Sequence, residues 1–196
     1  MEEIFWKGFY FILFLLWFFI RTPYGKKSLK IKSKTKKRVR TEKFLVFLNF
    51  ISMMFLPVFV VFSTKLDFAT MNLPSFIRWI GFIIYGLNLG FFIWCHKSLG
   101  ENWSTILEIR EKHKLVQEGP YKRIRHPMYT HFWLLIISQG LILNNWIVMI
   151  YGILAGGTLY FARVKKEEEM MIEEFGNEYK KYMKNTGRLF PKFSFN

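Results

Sequence analysis

Residues 128–161 read MYTHFWLLIISQGLILNNWIVMIYGILAGGTLYF. The fold turns on whether this run forms one helix or two. A helix crossing the hydrocarbon core needs about 20 apolar residues, so the run is too long for one crossing. Asn144 and Asn145 put a polar break at its middle. Two short helices joined by a tight turn at "LNNW" fit the pattern, and Gly156 and Gly157 in the second give a neighbouring helix room to approach.

Three more apolar blocks precede it, at about 4–20, 44–62 and 76–95. The first opens Met1-Glu2-Glu3 and shows no small-residue cleavage site, so it reads as a retained helix. The expectation is a single all-α integral membrane domain, 1–196. It has five transmembrane helices (about 4–20, 44–62, 76–95, 128–143 and 146–162), with the fourth and fifth as a tight hairpin. Composition agrees: 52% of residues are hydrophobic and 20% aromatic, yet the formal net charge is +15. An ordinary soluble fold cannot bury that much apolar surface and spread that much charge, so the two must be segregated along the chain. Cys95 is the one cysteine, which excludes a disulfide within the chain.

Positive charge sets the orientation. Residues 21–43 carry 11 Lys or Arg, residues 97–127 carry seven and residues 163–196 carry eight. With five spans these segments fall on one side, the cytosol, and the connections 63–75 and 144–145 face away. The run GKKSLKIKSKTKKRVR (25–40) lacks aromatic interleaving and lies between two membrane helices. It reads as a topology determinant touching anionic lipid heads, not as a nucleic-acid site.

Glycine-rich dinucleotide loops, phosphate loops and Cys-x-x-Cys pairs are missing from the sequence. His96, His113, His126 and His131 lack the spacing of a metal site, and no metal is expected. Chemistry therefore concentrates where the hairpin brings the loop 97–127 beside the tail 163–196. In the loop, Gly119-Pro120 marks a turn, and Pro127 fits the opening of a helix. Rings from Tyr121, His126 and Tyr129 suit a flat heterocycle, and an interfacial aromatic belt accounts for them equally. In the tail, Arg163 and Glu167 are four apart and share a helix face. A plain surface ion pair accounts for that spacing too. Phe175, Tyr179 and Tyr182 form an aromatic stripe that suits the bilayer surface or a cover over a site.

Over about residues 97–192, HKLVQEGPYKRIRHPMY (113–129), then Arg163-Val-Lys-Lys-Glu167, then EEFGNEYKKYMKNTGRLFP (173–191) resembles the isoprenylcysteine carboxyl methyltransferase family, which groups with the phospholipid methyltransferases. The resemblance implies S-adenosylmethionine as methyl donor, held in a cytosolic pocket without a dinucleotide fold. By position, His113, Lys114, Leu115, Val116, Tyr121, His126, Pro127, Met128 and Tyr129 would hold the cofactor. Glu167 would take the ammonium of its methionine part, and Arg163 the substrate's carboxylate, so the catalytic pair is Arg163 and Glu167. Lys114 stands where relatives often carry a small polar residue. The implied reaction is methyl esterification of the C-terminal carboxylate of an S-isoprenylcysteine, in a protein or a small molecule. The alternatives are a same-fold methyltransferase acting on a phospholipid amine or a small isoprenoid acid, and a non-enzymatic lipid-binding membrane protein. Expected partners are a lipid-borne acceptor and membrane lipids, with the oligomeric state open. The short chain points to a prokaryotic cell membrane.

Overall fold

The computed structural model describes residues 2–30, 40–104, 109 and 113–192. Among them the regular structure is helical, and the connecting segments carry two isolated bridges, Thr70 with Asn145 and Ile124 with Gly187. The basic run 25–40 falls largely outside the described residues.

Helix α1 (Glu2–Lys30) carries Glu2 and Glu3 in its first turn, where they complement the helix dipole. It runs well past the apolar block at 4–20. Apolarity marks only the stretch that crosses lipid, whereas helical hydrogen bonding continues into water. Helix α2 (Arg40–Phe50) widens into a π-helical stretch (Ile51–Phe55) before α3 (Leu56–Phe62). Pro57 lies at the start of α3, lacks an N–H and crowds the carbonyl four residues back, so the turn before it opens. Helix α4 (Ser75–Leu99) follows Pro74 and stops at Gly100, which has a φ of 53°.

Helices α5 (Pro127–Ile142) and α6 (Trp146–Asn185) are separated by a three-residue turn. Asn144 takes a φ of 53°. The Asn145 side chain accepts from Val148 N at 3.2 Å, capping α6, and donates to Leu66 O at 2.9 Å. Asn144 Oδ1 accepts from Leu73 N at 3.0 Å. The two asparagines thus end one helix, begin the next and hold the loop between α3 and α4. Glycine lets the pair close: a Cβ at Gly152 or Gly156 would lie 2.7 Å from Ile136, and one at Gly140 would lie 2.6 Å from Met149 Cβ.

Four helical stretches are long and apolar enough to cross a membrane: Glu2–Ser28, Glu42–Phe62, Ser75–Asn102 and Trp146–Asn185. The protein is an integral membrane protein by these spans. Helix α5 has 16 residues, about 24 Å at 1.5 Å per residue, and packs between α4 and α6.

Trp6, Tyr10, Trp17, Phe92, Leu135 and Ile136 are among the buried core residues. Polar clips fix register within it. Trp17 Nε1 donates to His131 Nε2 at 3.3 Å, and Asn88 meets both His131 Nδ1 (3.0 Å) and His131 O (3.1 Å). At the end of the bundle nearest the α5–α6 turn, Arg78 is 2% exposed. Its Nη1 lies 2.5 Å from Glu3 Oε1, its Nε and Nη2 donate to Ile142 O, and its guanidinium lies over Trp6. Arg78→Met leaves that carbonyl unpaired and frees α1 from the α5 end. We expect a loss of about 2–3 kcal/mol, measured as a lower unfolding midpoint in detergent. An unchanged midpoint would refute the clip.

Candidate active site

The turn before α5 is set by glycine. Gly119 has a φ of 57°, and a Cβ there would strike Ser98 Oγ and lie 3.0 Å from Trp94 Nε1. Only glycine lets the 3-10 turn Gly119–Lys122 press against α4. This segment is knitted to the chain beyond α6. Arg125 N donates to Gly187 O (2.8 Å), His126 N to Arg188 O (3.0 Å) and Gly187 N to Arg123 O (3.1 Å). Tyr182 Oη donates to Tyr121 O at 2.6 Å. Arg125 Nη1 donates to Met183 O at 3.0 Å and also to Thr186 O.

Glu168 lies at the centre of this region with its side chain 6% exposed. It accepts from Arg125 Nε (3.1 Å), His126 Nε2 (3.2 Å), and Arg188 Nε (3.1 Å) and Nη2 (2.6 Å). Glu167, one residue earlier, accepts from Tyr129 Oη at 2.9 Å and lies 3.7 Å from His126 Nδ1. His126 is therefore bracketed by two carboxylates. Burial pulls its pKa down, but the bonds and charges of Glu167 and Glu168 outweigh burial, and the net pKa is raised. Arg163 Nε faces Glu42 Oε1 of α2 at 3.7 Å, both side chains being 12% exposed.

Arg125, His126, Tyr129, Arg163 and Glu167 open on a cavity of about 570 Å³. Of the residues singled out from sequence, His113, Lys114, Leu115, Val116, Tyr121, His126, Met128, Tyr129, Arg163 and Glu167 all line it. Pro127 does not; it is buried at the first position of α5, where it shapes the turn. The Tyr121 hydroxyl is buried with no hydrogen-bond partner among the described residues. The wall is polar near Arg163 and Glu167, while Val46, Phe50, Met53, Met54, Phe132 and Leu159 make other parts of it apolar.

Sequence reading missed several members. Arg21 of α1 lines the cavity with its guanidinium 4.3 Å from the centre of the Trp103 ring. Arg125 lines it too, Glu42 reaches Arg163 from α2, and Tyr179 and Tyr182 of the expected aromatic stripe join the wall. The stripe of Tyr179 and Tyr182 was visible; Arg21 and Glu42 belong to runs dominated by positive charge and gave no separate signal.

Residues 79–173 match the Isoprenylcysteine carboxyl methyltransferase (ICMT) family. That range takes in two of the motifs that carry the resemblance, 113–129 and 163–167, and ends where the third begins. A Protein-S-isoprenylcysteine O-methyltransferase of Dictyostelium discoideum is 34% identical over 91 residues, 45% of this chain and 38% of that protein. One from Xenopus laevis is 32% identical over 99 residues, 48% of this chain and 34% of that protein. A Nickel-cobalt-cadmium resistance protein, NccN, of Alcaligenes xylosoxydans is 26% identical over 98 residues, 50% of this chain and 46% of that protein. Each match spans less than half the relative's length. In fold, the chain is similar to the solved eukaryotic intramembrane Ras methyltransferase ICMT, with a TM-score of 0.55 and 21% identity over 80% of this chain and 54% of that one.

Proposed function

We propose that this chain is a membrane methyltransferase that esterifies the carboxylate of an S-isoprenylcysteine, with S-adenosylmethionine as donor. The observation that carries the reading is the single cavity joining a charged region, with Arg163 and Glu167, to an apolar wall drawn from helices that cross the membrane. In this reading α5 crosses with α6 as a fifth span. The basic segments and the cavity's charged region face the cytosol of a prokaryotic cell membrane, and 97–192 is the catalytic part of one domain.

The residues present fit the donor. The buried Tyr121 hydroxyl needs a partner inside the cavity, Glu167 offers a carboxylate for an ammonium, and His113, Lys114, Leu115 and Val116 line the same cavity. Bound there, S-adenosylmethionine would supply a methyl already activated on a sulfonium. An ionised carboxylate needs no strong base, so the protein's part is to position, which is worth several kcal/mol. Arg163 presents a planar fork matched to two carboxylate oxygens. The apolar wall takes the prenyl chain.

Transfer of labelled methyl to a farnesylated cysteine analogue in membranes tests the reading. Wild type is expected to form the ester, and Arg163→Ala to lose it by at least tenfold. Donor binding without ester formation would overturn the acceptor assignment. One observation favours a lipid amine instead: Glu42 already faces Arg163, which lowers its pull on an incoming carboxylate. In that case Arg163→Ala would spare transfer to phosphatidylethanolamine.

A further inference from the structure

We propose that Arg21, laid over the indole of Trp103, is a carboxylate-binding group of this cavity. It stands on α1, outside the stretch 79–173 that matches the ICMT family, and no role attaches to it from that match. The proposal rests on the methyltransferase reading, because the carboxylate belongs to one of the two ligands that reading places in the cavity.

Four Lys or Arg side chains are among the described residues of the wall. Arg125 is used up by Glu168, Met183 O and Thr186 O. Arg163 faces Glu42. Lys114 is exposed to solvent. Arg21 is partly buried, and among the described residues no carboxylate lies within ion-pair distance and no acceptor takes a hydrogen bond from it. Glu167 is the one carboxylate on the described wall, and it is engaged by Tyr129 and His126. A guanidinium withdrawn from water without an anion is costly, so it is kept where a ligand completes the pair.

The geometry is held in advance of any ligand. Trp103 is 7% exposed, and its ring meets His96 edge-on at 4.7 Å. Its face lies 4.3 Å from the guanidinium carbon, a cation–π contact that anchors the group. A guanidinium anchored over the indole still has its planar fork of N–H donors, which is the match to the two oxygens of a carboxylate. Both the methyl donor and the isoprenylcysteine acceptor carry one.

The test pairs each ligand with a version lacking the carboxylate, using full-length protein in nanodiscs and binding calorimetry. The donor side is probed with S-adenosylhomocysteine against its decarboxylated analogue, the acceptor side with farnesylcysteine against farnesylcysteine amide. Arg21→Gln is expected to weaken the acid of one pair at least tenfold and to leave its carboxylate-free partner within twofold. That pattern in the first pair assigns the donor's carboxylate; in the second, the acceptor's. Arg21→Lys keeps the charge but not the fork and should fall between wild type and Arg21→Gln. Trp103→Leu should give a smaller loss with the same selectivity, and it keeps the test open if Arg21→Gln fails to fold. Equal losses for acids and carboxylate-free ligands, or no loss in either pair, overturn the inference while leaving the methyltransferase reading intact. Wild-type protein that binds neither pair removes that reading and this inference together.

Discussion

Glu168→Ala is expected to lower the protein's stability by about 3–5 kcal/mol, the usual cost of stranding buried charge. Glu168 accepts four hydrogen bonds from Arg125, His126 and Arg188, and its side chain is 6% exposed. Removing it leaves Arg125 nearly buried, with two carbonyls but no anion. Arg188 is 47% exposed and regains water, which places the effect toward the lower end. The readout is the thermal midpoint in detergent, together with hydrogen exchange at 119–126 and 182–192, the two segments this carboxylate joins. Glu169→Ala is the control: its side chain is 56% exposed, with only a 3.9 Å contact to Lys165, and a change within about 0.5 kcal/mol is expected. If the two variants behaved alike, Glu168 would not hold the segments together. The same centre responds to pH. Because the folded pKa of His126 is raised, its contribution is complete below the unfolded value, about 6.5. It fades as pH rises through the folded value. Segment 119–126 should therefore exchange faster on the alkaline side than intrinsic exchange alone explains, and His126→Gln should remove the excess.

Glu167→Gln is expected to act on binding more than on folding. The amide keeps an acceptor for Tyr129 Oη, now at 2.9 Å, and it keeps the volume. It loses the negative charge that, in the proposed role, meets the donor's ammonium. A hydrogen bond to a charged group contributes about 1.5–3 kcal/mol, so affinity for S-adenosylhomocysteine should fall roughly 10–150-fold, with methyl transfer falling at least as far. Tyr129→Phe separates the effects: it removes the hydroxyl but leaves the carboxylate, and should cost less affinity. A Glu167→Gln protein that bound as tightly as wild type would end the assignment of that carboxylate to the donor.

The helical, membrane-embedded class was legible because the apolar blocks match the thickness of lipid and Asn144 and Asn145 carry a local turn signal. Arg163 and Glu167 were legible as one face of one helix. What escaped is non-local. The approach of Glu42 to Arg163 depends on how α2 leans on α6, and no periodicity within either helix contains that angle. Arg21 looked like one more topology charge because its distinction, an indole beneath it, comes from a segment far along the chain. Glu168 was hidden in the run Glu167-Glu168-Glu169, which looks like a solvated face. Yet the buried residues Tyr160, Val164 and Glu168 recur every four positions, and that phase, carried outward from the apolar half of the helix, singles out Glu168. The π-helical widening at Ile51–Phe55 leaves only Pro57 as a trace.

Helix α6 works as a depth gauge. It runs 30 residues from Trp146 before it kinks at Gly176, where φ is 55°, about 45 Å and half again the hydrocarbon thickness of about 30 Å. Arg163 stands some 26 Å along it from Trp146 at the helical rise per residue, so in the proposed reading this straight stretch sets the charged end of the cavity at the level where acyl chains give way to headgroups. An acceptor with its carboxylate directly on the lipid-bearing residue arrives at that height. One carrying the same carboxylate on a long polar tether would overshoot it, so this stretch alone would sort acceptors by the distance between anchor and acid.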